Sequence, residues 1–133
     1  MRKFFLVATI FLWATSSFAE PPTRDYTTVT KIATATGGVV EDSTLWDPDS
    51  GKRIVLLGVF VSSDVWADIE LEVSNVDAVN PIHLESPGSK LIESGGRPIW
   101  VSAKDAVLTW SSKTLPIQAN VSIMIWGYEE QVG

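Results

Sequence analysis

Carboxylate side chains are the residues of this sequence whose spacing comes nearest to a catalytic arrangement. Asp68, Glu70 and Glu72 alternate with apolar residues in ADIELEV, so a β-strand places all three on one face, with successive members about 7 Å apart. Such a pair is compatible with glycoside hydrolysis, which uses two carboxyl groups. A half-buried strand normally turns its charges to solvent, however, and the sequence predicts no apolar pocket that would raise an acid's pKa. We interpret the row as a solvated face, and a secreted hydrolase ranks third among three functional hypotheses.

The single histidine, His83, is the other residue with catalytic potential. Catalysis of the Ser-His-acid kind would need His83 beside an oriented serine, and the sequence has no G-x-S-x-G elbow to supply one. Its neighbours Ile82 and Leu84 are apolar, so a strand that buries them turns His83 to the surface. We therefore predict that the protein is not an enzyme.

Three further acids, Asp42, Asp47 and Asp49, precede Gly51 in a turn-rich stretch. Clustered oxygen ligands suit Ca²⁺, although the full D-x-D-x-D-G pattern with a distal glutamate is missing. Aspartate is also common in turns because its side chain bonds to nearby backbone N–H groups. A calcium site formed by these three acids is thus one alternative, and no other cofactor is predicted.

Aromatic residues provide the basis for the second functional hypothesis. Trp110 shares a strand face with Leu108, which predicts a core position, whereas Trp126 shares a face with Met124 and Tyr128. Exposed aromatic rings stack on the apolar faces of sugars, so a carbohydrate-binding module that recognises a cell-surface glycan is the runner-up. The residues that would stack on sugars are Trp100, Trp126 and Tyr128.

The N-terminus has the composition of a secretory signal peptide. In MRKFFLVATIFLWATSSFA, two basic residues precede an apolar run at 4–14, and small residues at Ser17 and Ala19 suit cleavage before Glu20. The run is shorter than the ~20 residues that span a bilayer, so we expect no stable membrane insertion after cleavage. We predict a signal peptide at 1–19, an extended arm at 20–25 and a single domain at 26–133, secreted to the periplasm or the extracellular space.

Charge and cysteine content exclude several classes of partner and site. The mature chain would have sixteen Asp and Glu against eight Lys and Arg, because Arg2 and Lys3 leave with the signal peptide. Such an acidic protein repels phosphate backbones, so nucleic acid is not an expected partner. The absence of cysteine excludes disulfides and thiolate metal sites.

The elements that must position these residues are short strands. β-Branched and aromatic runs are separated every eight to twelve residues by turn signals such as Asn80-Pro81, Pro87-Gly88 and Gly95-Gly96. Helical periodicity is absent. The pattern predicts an all-β fold, namely an antiparallel two-layer β-sandwich of jelly-roll-like character with about seven or eight strands.

Two strands are apolar on both faces. In IVLLGVFV at 54–61, a period of two places Val55, Leu57 and Val59 opposite Ile54 and Leu56, and the strand at 121–128 is equally two-sided. Only one face of each strand can meet the core of a two-layer sandwich, so the chain's own loops and arm, or a second chain, must cover the other. We predict a homo-oligomer with a binding or interface surface formed by Val55, Leu57, Val59, Trp100, Met124, Trp126 and Tyr128.

The segments LWDPDSGKRIVLLGVFVSSD, SGGRPIWVSAKDAVLTWSS and VSIMIWGYEE give the sequence a family resemblance. Over residues 44–130 the chain resembles a small β-sandwich module of phage and prophage structural proteins and of uncharacterised exported bacterial proteins. In that module a Pro-x-Ser-Gly-Lys turn leads into a buried strand. The resemblance implies a β-sandwich with a non-enzymatic structural or binding role. The leading hypothesis is therefore a secreted structural or adhesive module that self-associates or binds a surface.

Overall fold

A computed structural model of the protein describes residues 27–36, 39–85, 87–115 and 119–133. The predicted signal peptide and arm lie outside the described residues. None of the described segments forms a helix with the length and hydropathy of a membrane span. The strands are β1 (Val29–Ala35), β2 (Val40–Trp46), β3 (Lys52–Ser63), β4 (Trp66–Val73), β5 (Val76–Asp77), β6 (Ile82–Leu84), β7 (Gly88–Glu93), β8 (Trp100–Val101), β9 (Leu108–Leu115) and β10 (Val121–Gln131).

The strands form two antiparallel sheets that pack as a sandwich. The first sheet has the order β1-β10-β3-β7, with β8 also paired to β3, and the second has the order β2-β9-β4-β5, with β6 also paired to β4. The first strand therefore pairs with the last and the second with the next to last, which is the wrapping of a jelly roll. The prediction of an all-β, jelly-roll-like sandwich is confirmed, and eight strands remain when the two-residue β5 and β8 are set aside.

The core lies between the inner faces of the two sheets. Alternation in β4 turns Ile69 and Leu71 inward, where both are fully buried, and Leu71 lies opposite Trp110 of β9. Trp110 is 2% exposed, so its predicted core position is confirmed. Trp46, at the end of β2, is buried in the same core.

A β-bulge changes which residues of β3 face the core. Trp126 of β10 lies opposite Gly58 but the next residue, Gly127, lies opposite Leu56, so Leu57 has no partner in the pairing. Inward positions are therefore Ile54 and Leu56 before the bulge and Val59 and Val61 after it. The prediction that Val59 faces outward with Val55 was wrong, because one extra residue shifts the alternation by one position.

Both glycines at the bulge are required by close contacts. A Cβ on Gly127 would lie 2.0 Å from the carbonyl oxygen of Val55, and one on Gly58 would lie 2.1 Å from Cζ2 of Trp126. The backbones of β3 and β10 thus approach closely at Gly127, while the Trp126 indole covers Gly58. Neither position has room for a side chain while its neighbour keeps its place.

A half-buried carboxylate, that of Glu129, joins the two sheets near the end of β10. The Trp46 Nε1–H group donates to Oε2 of Glu129 at 2.9 Å, and the backbone N–H of Asp49 donates to Oε1 at 2.9 Å. Burial alone would raise the pKa of Glu129, but these two hydrogen bonds and the nearby Lys52 and Lys31 outweigh it, so that the pKa is lowered. Glu129 therefore fixes the turn that leads into β3.

Candidate functional site

Apolar side chains form a continuous row on the outer face of the first sheet. Its members lie directly opposite one another on four neighbouring strands, so adjacent side chains are about 5 Å apart. The row ends are open to solvent, since Ile32 is 70% exposed and Leu91 is 52% exposed. We call this set the apolar row. It comprises Ile32 of β1, Met124 of β10, Phe60 of β3 and Leu91 of β7.

More apolar surface lies on one side of this row. Trp126 and Tyr128 of β10 are half-buried on the same face as Met124, and Tyr128 lies opposite Val55. Val55 in turn lies opposite Val101 of β8, which is 42% exposed. The apolar row and these four residues are called the apolar patch below.

Hydroxyl groups bound the other side of the apolar row. Ser62 and Ser122 are linked through their side-chain oxygens at 2.6 Å. Thr34 and Ser89 extend the same line to the edges of the sheet. Neither this line nor the apolar row contains a charged side chain. The first charge on the face is Glu93, which lies opposite Gly58.

The structure divides the predicted interface residues. Met124, Trp126 and Tyr128 are half-buried members of the apolar patch, and Leu57 is half-buried at the bulge. Val55 lies on the same face but is only 2% exposed, because Tyr128 and Val101 flank it across the sheet, so the prediction that it offers surface to a partner was wrong. Val59 is buried in the core, as described above. Trp100 packs against the core from β8, beside Leu56. The three residues predicted to stack on sugars therefore do not share one face, because Trp100 lies on the inner side.

Sequence reasoning missed Ile32, Phe60 and Leu91 as members of this surface. Strict alternation over 54–61 places Phe60 on the same face as Ile54 and Leu56, and the bulge interrupts that alternation. Ile32 and Leu91 each have polar neighbours on their own strand face, and nothing in the sequence shows that they meet Met124 and Phe60 across the sheet. Only strand order and register bring them into one row.

The outer face of the second sheet is acidic instead. Asp68, Glu70 and Glu72 share this face as predicted, together with Asp42 of β2, and they line a concavity of about 430 Å³ with Lys113. Burial raises the pKa of Glu72, and the neighbouring carboxylates of Glu70, Asp42 and Asp77 raise it further. Carboxylate oxygens of Glu70, Glu72 and Asp77 lie within 4.8 Å of one another.

The acids proposed as calcium ligands are not brought together. Asp42 lies on the acidic face, where its backbone N–H donates to the Ser111 hydroxyl at 3.0 Å. Asp49 lies beyond the end of β2, where its carboxylate is 3.6 Å from Nζ of Lys52. Asp42 and Asp49 therefore have separate partners, on the acidic face and in the turn, and the set of Asp42, Asp47 and Asp49 does not form one ligand sphere.

His83 lies on the surface, as predicted. Its Nδ1 contacts Oδ1 of Asp68, and its ring meets Trp66 edge to face with centroids 5.2 Å apart. Its flanking residues Ile82 and Leu84 are buried. The contacts of His83 with Asp68 and Trp66 join β6 to β4.

No protein-family model and no curated protein matches the sequence. Among solved structures, the chain is similar to the coat protein of Tobacco streak virus, with a TM-score of 0.34 and 10% sequence identity. The similarity covers 86% of this chain and 92% of that chain.

Proposed function

We propose that this protein is a secreted, non-enzymatic structural module that forms dimers through the outer face of its first sheet. The observation that carries the proposal is the apolar row, which crosses four strands and ends in the exposed side chains of Ile32 and Leu91. Contiguous apolar patches on soluble proteins commonly mark interaction sites. The jelly roll itself serves coat proteins, lectins and enzymes, so the surface and not the fold carries the proposal.

Charge is compatible with a second copy of the same chain as the partner. The mature chain would have a net charge of −8, from eight Lys and Arg against sixteen Asp and Glu, yet the apolar row and the hydroxyl line are uncharged. Packing two copies face to face leaves the two acidic faces on opposite outer sides, separated by about 30 Å, since packed sheets lie about 10 Å apart. At physiological ionic strength charges are screened beyond about 8 Å. Repulsion between the acidic faces therefore does not oppose this dimer.

The edges of the first sheet are protected against pairing with another sheet. Lys31 on β1 and Lys90 on β7 both occupy inward positions, opposite the core residues Ile125 and Val61. Inward-pointing charges on edge strands are a known device against edge-to-edge association. Self-association through faces is therefore favoured over the extension of a sheet from copy to copy.

The area of this outer face indicates how strongly two copies should bind each other. Four strands about 4.8 Å apart and seven residues long cover roughly 450 Å² in projection. A standard interface buries about 800 Å² on each partner, so this contact is at the small end of specific interfaces. We expect a reversible dimer with a dissociation constant in the micromolar range.

Sedimentation equilibrium of the purified chain over a range of concentrations tests this proposal. Ile32→Asp and Leu91→Asp each place a charge in the interface without burying it in the monomer, so each should weaken the dimer at least tenfold. Val76→Asp is the matched control, because Val76 is 68% exposed on the second sheet. A wild-type chain that stays monomeric at high concentration would refute the proposal, as would equal effects of all three variants.

A further inference from the structure

The two sheets separate along one side of the sandwich and leave a groove whose floor is the core. Ile92 and Ile99 line it from the first sheet and Ala78, Val79 and Ile82 line it from the second. All five pack in or against the core. The groove has a volume of about 480 Å³, which lies within the range of small-molecule sites.

One positively charged side chain, that of Lys90, lies among the apolar residues that line the groove. Lys90 occupies the same face of β7 as Ile92, so its side chain leaves the strand on the groove side. The ion pairs found among the described residues do not include Lys90. An apolar groove with a cation at its rim complements a molecule that has an apolar tail and a negative head.

We infer that this groove binds a single-chain amphiphile with an anionic head group, namely a medium-chain carboxylate. At about 30 Å³ for each group the size of a water molecule, the volume of about 480 Å³ holds about sixteen such groups, and a ten-carbon carboxylate, which has about twelve, fits within it. The tail lies along Ile82, Ile92 and Ile99, and the Lys90 ammonium donates hydrogen bonds to the carboxylate. This site is separate from the apolar patch and does not depend on the proposed dimer.

Decanoate is the probe that tests the inference, used below its micellar concentration with the full chain. Calorimetry should show saturable binding to one site for each chain. In ¹⁵N-labelled protein, the amide signals of Ala78, Ile82 and Ile92 should shift. Decyltrimethylammonium, which has the same tail and the opposite charge, should bind about fivefold more weakly, because an exposed ion pair contributes up to ~1 kcal/mol and 1.4 kcal/mol is tenfold.

Substitutions of Lys90 separate ligand binding from protection of the edge. Lys90→Gln should lower the affinity for decanoate about fivefold, by the same magnitude for an exposed ion pair. Lys90→Glu keeps an inward charge on the edge strand. If Lys90 only protects the edge, this variant should still prefer decanoate over decyltrimethylammonium. If Lys90 binds the head group, the variant should instead bind decyltrimethylammonium more tightly than decanoate. Unchanged preference in Lys90→Glu would overturn the assignment of Lys90.

A second pair of variants tests the groove itself. Val79→Asp adds a negative charge to the lining and should abolish decanoate binding, whereas Val76→Asp adds the same charge outside the groove and should bind as wild type does. The near-ultraviolet circular dichroism of each variant checks that it is folded. Absence of saturable decanoate binding to the wild type, or equal binding by both variants, would overturn the inference.

Discussion

The contact between Trp126 and Gly58 yields a prediction that can be tested with a double-mutant cycle. A Cβ on Gly58 would lie 2.1 Å from the Trp126 indole, so Gly58→Ala must displace the ring from the sheet. If Trp126 is first replaced by alanine, the three atoms nearest to that Cβ, all of them in the indole, are removed. The effect of Gly58→Ala on the free energy of unfolding should therefore change sign between the two backgrounds.

The magnitude follows from the area that the indole covers. Tryptophan buries about 150 to 250 Å², and for a half-buried ring we take about 120 Å². At about 25 cal/mol per Å², displacing that ring costs about 3 kcal/mol. Alanine is favoured over glycine in a strand by about 0.5 to 1 kcal/mol. Gly58→Ala should thus destabilise the wild type by about 2 kcal/mol and stabilise Trp126→Ala by about 0.5 to 1 kcal/mol.

Urea unfolding followed by far-ultraviolet circular dichroism measures all four proteins, since tryptophan fluorescence changes with the substitution itself. Gly127→Ala is the matched control. The Cβ of an alanine at position 127 would lie 2.0 Å from the backbone oxygen of Val55, and no change at Trp126 relieves that contact. Gly127→Ala should therefore lower the free energy of unfolding by the same amount whether residue 126 is Trp or Ala. A coupling energy below about 0.5 kcal/mol between Gly58→Ala and Trp126→Ala, within the error expected for independent sites, would refute the reasoning.

Two carboxyl groups predict opposite pH dependences of stability. Glu129→Gln should lower the free energy of unfolding by about 1 to 2 kcal/mol at neutral pH, through weaker hydrogen bonds to Trp46 and Asp49. Because the pKa of Glu129 is lowered on folding, this difference should shrink as the pH falls below about 4.3, and a difference constant with pH would contradict it. Glu72 has a raised pKa, so its ionisation opposes folding, and Glu72→Gln should raise the melting temperature at neutral pH. That gain should vanish as the pH falls to the ordinary value of 4.5, whereas a gain that persists in acid would contradict the assigned cause.

The fold class could be predicted from the sequence because alternation and turn residues act locally. The acidic face of β4, the buried Trp110 and the exposed His83 all follow from a period of two within one strand. Each needs no knowledge of the neighbouring strand. The shared face of the three acids, the buried Trp110 and the exposed His83 were confirmed, whereas the solvation predicted for the whole acidic row was wrong at Glu72, which is 9% exposed because β4 lies inside its sheet, between β9 and β5.

The candidate site could not be predicted in full because it depends on pairing between distant segments. The bulge opposite Gly127 shifts the alternation within β3, which moves Val59 into the core and Phe60 out of it. Strict alternation in β3 would place both residues on the opposite faces. Ile32 and Leu91 join the apolar row only through register. The position of the bulge and the register depend on the partner strand, so they cannot be read from the residues of one strand alone.

The distribution of surfaces limits how far self-association can proceed. A patch that contacts the same patch on a second copy forms a two-fold symmetric interface, and that interface is used up when two copies have met. Growth beyond the dimer would then need the acidic face, where like charges repel, or an edge strand, and at both edges of the first sheet Lys31 and Lys90 oppose pairing. We therefore expect a closed dimer rather than a filament. Species larger than a dimer that persist in Ile32→Asp would show that an edge or the acidic face associates instead.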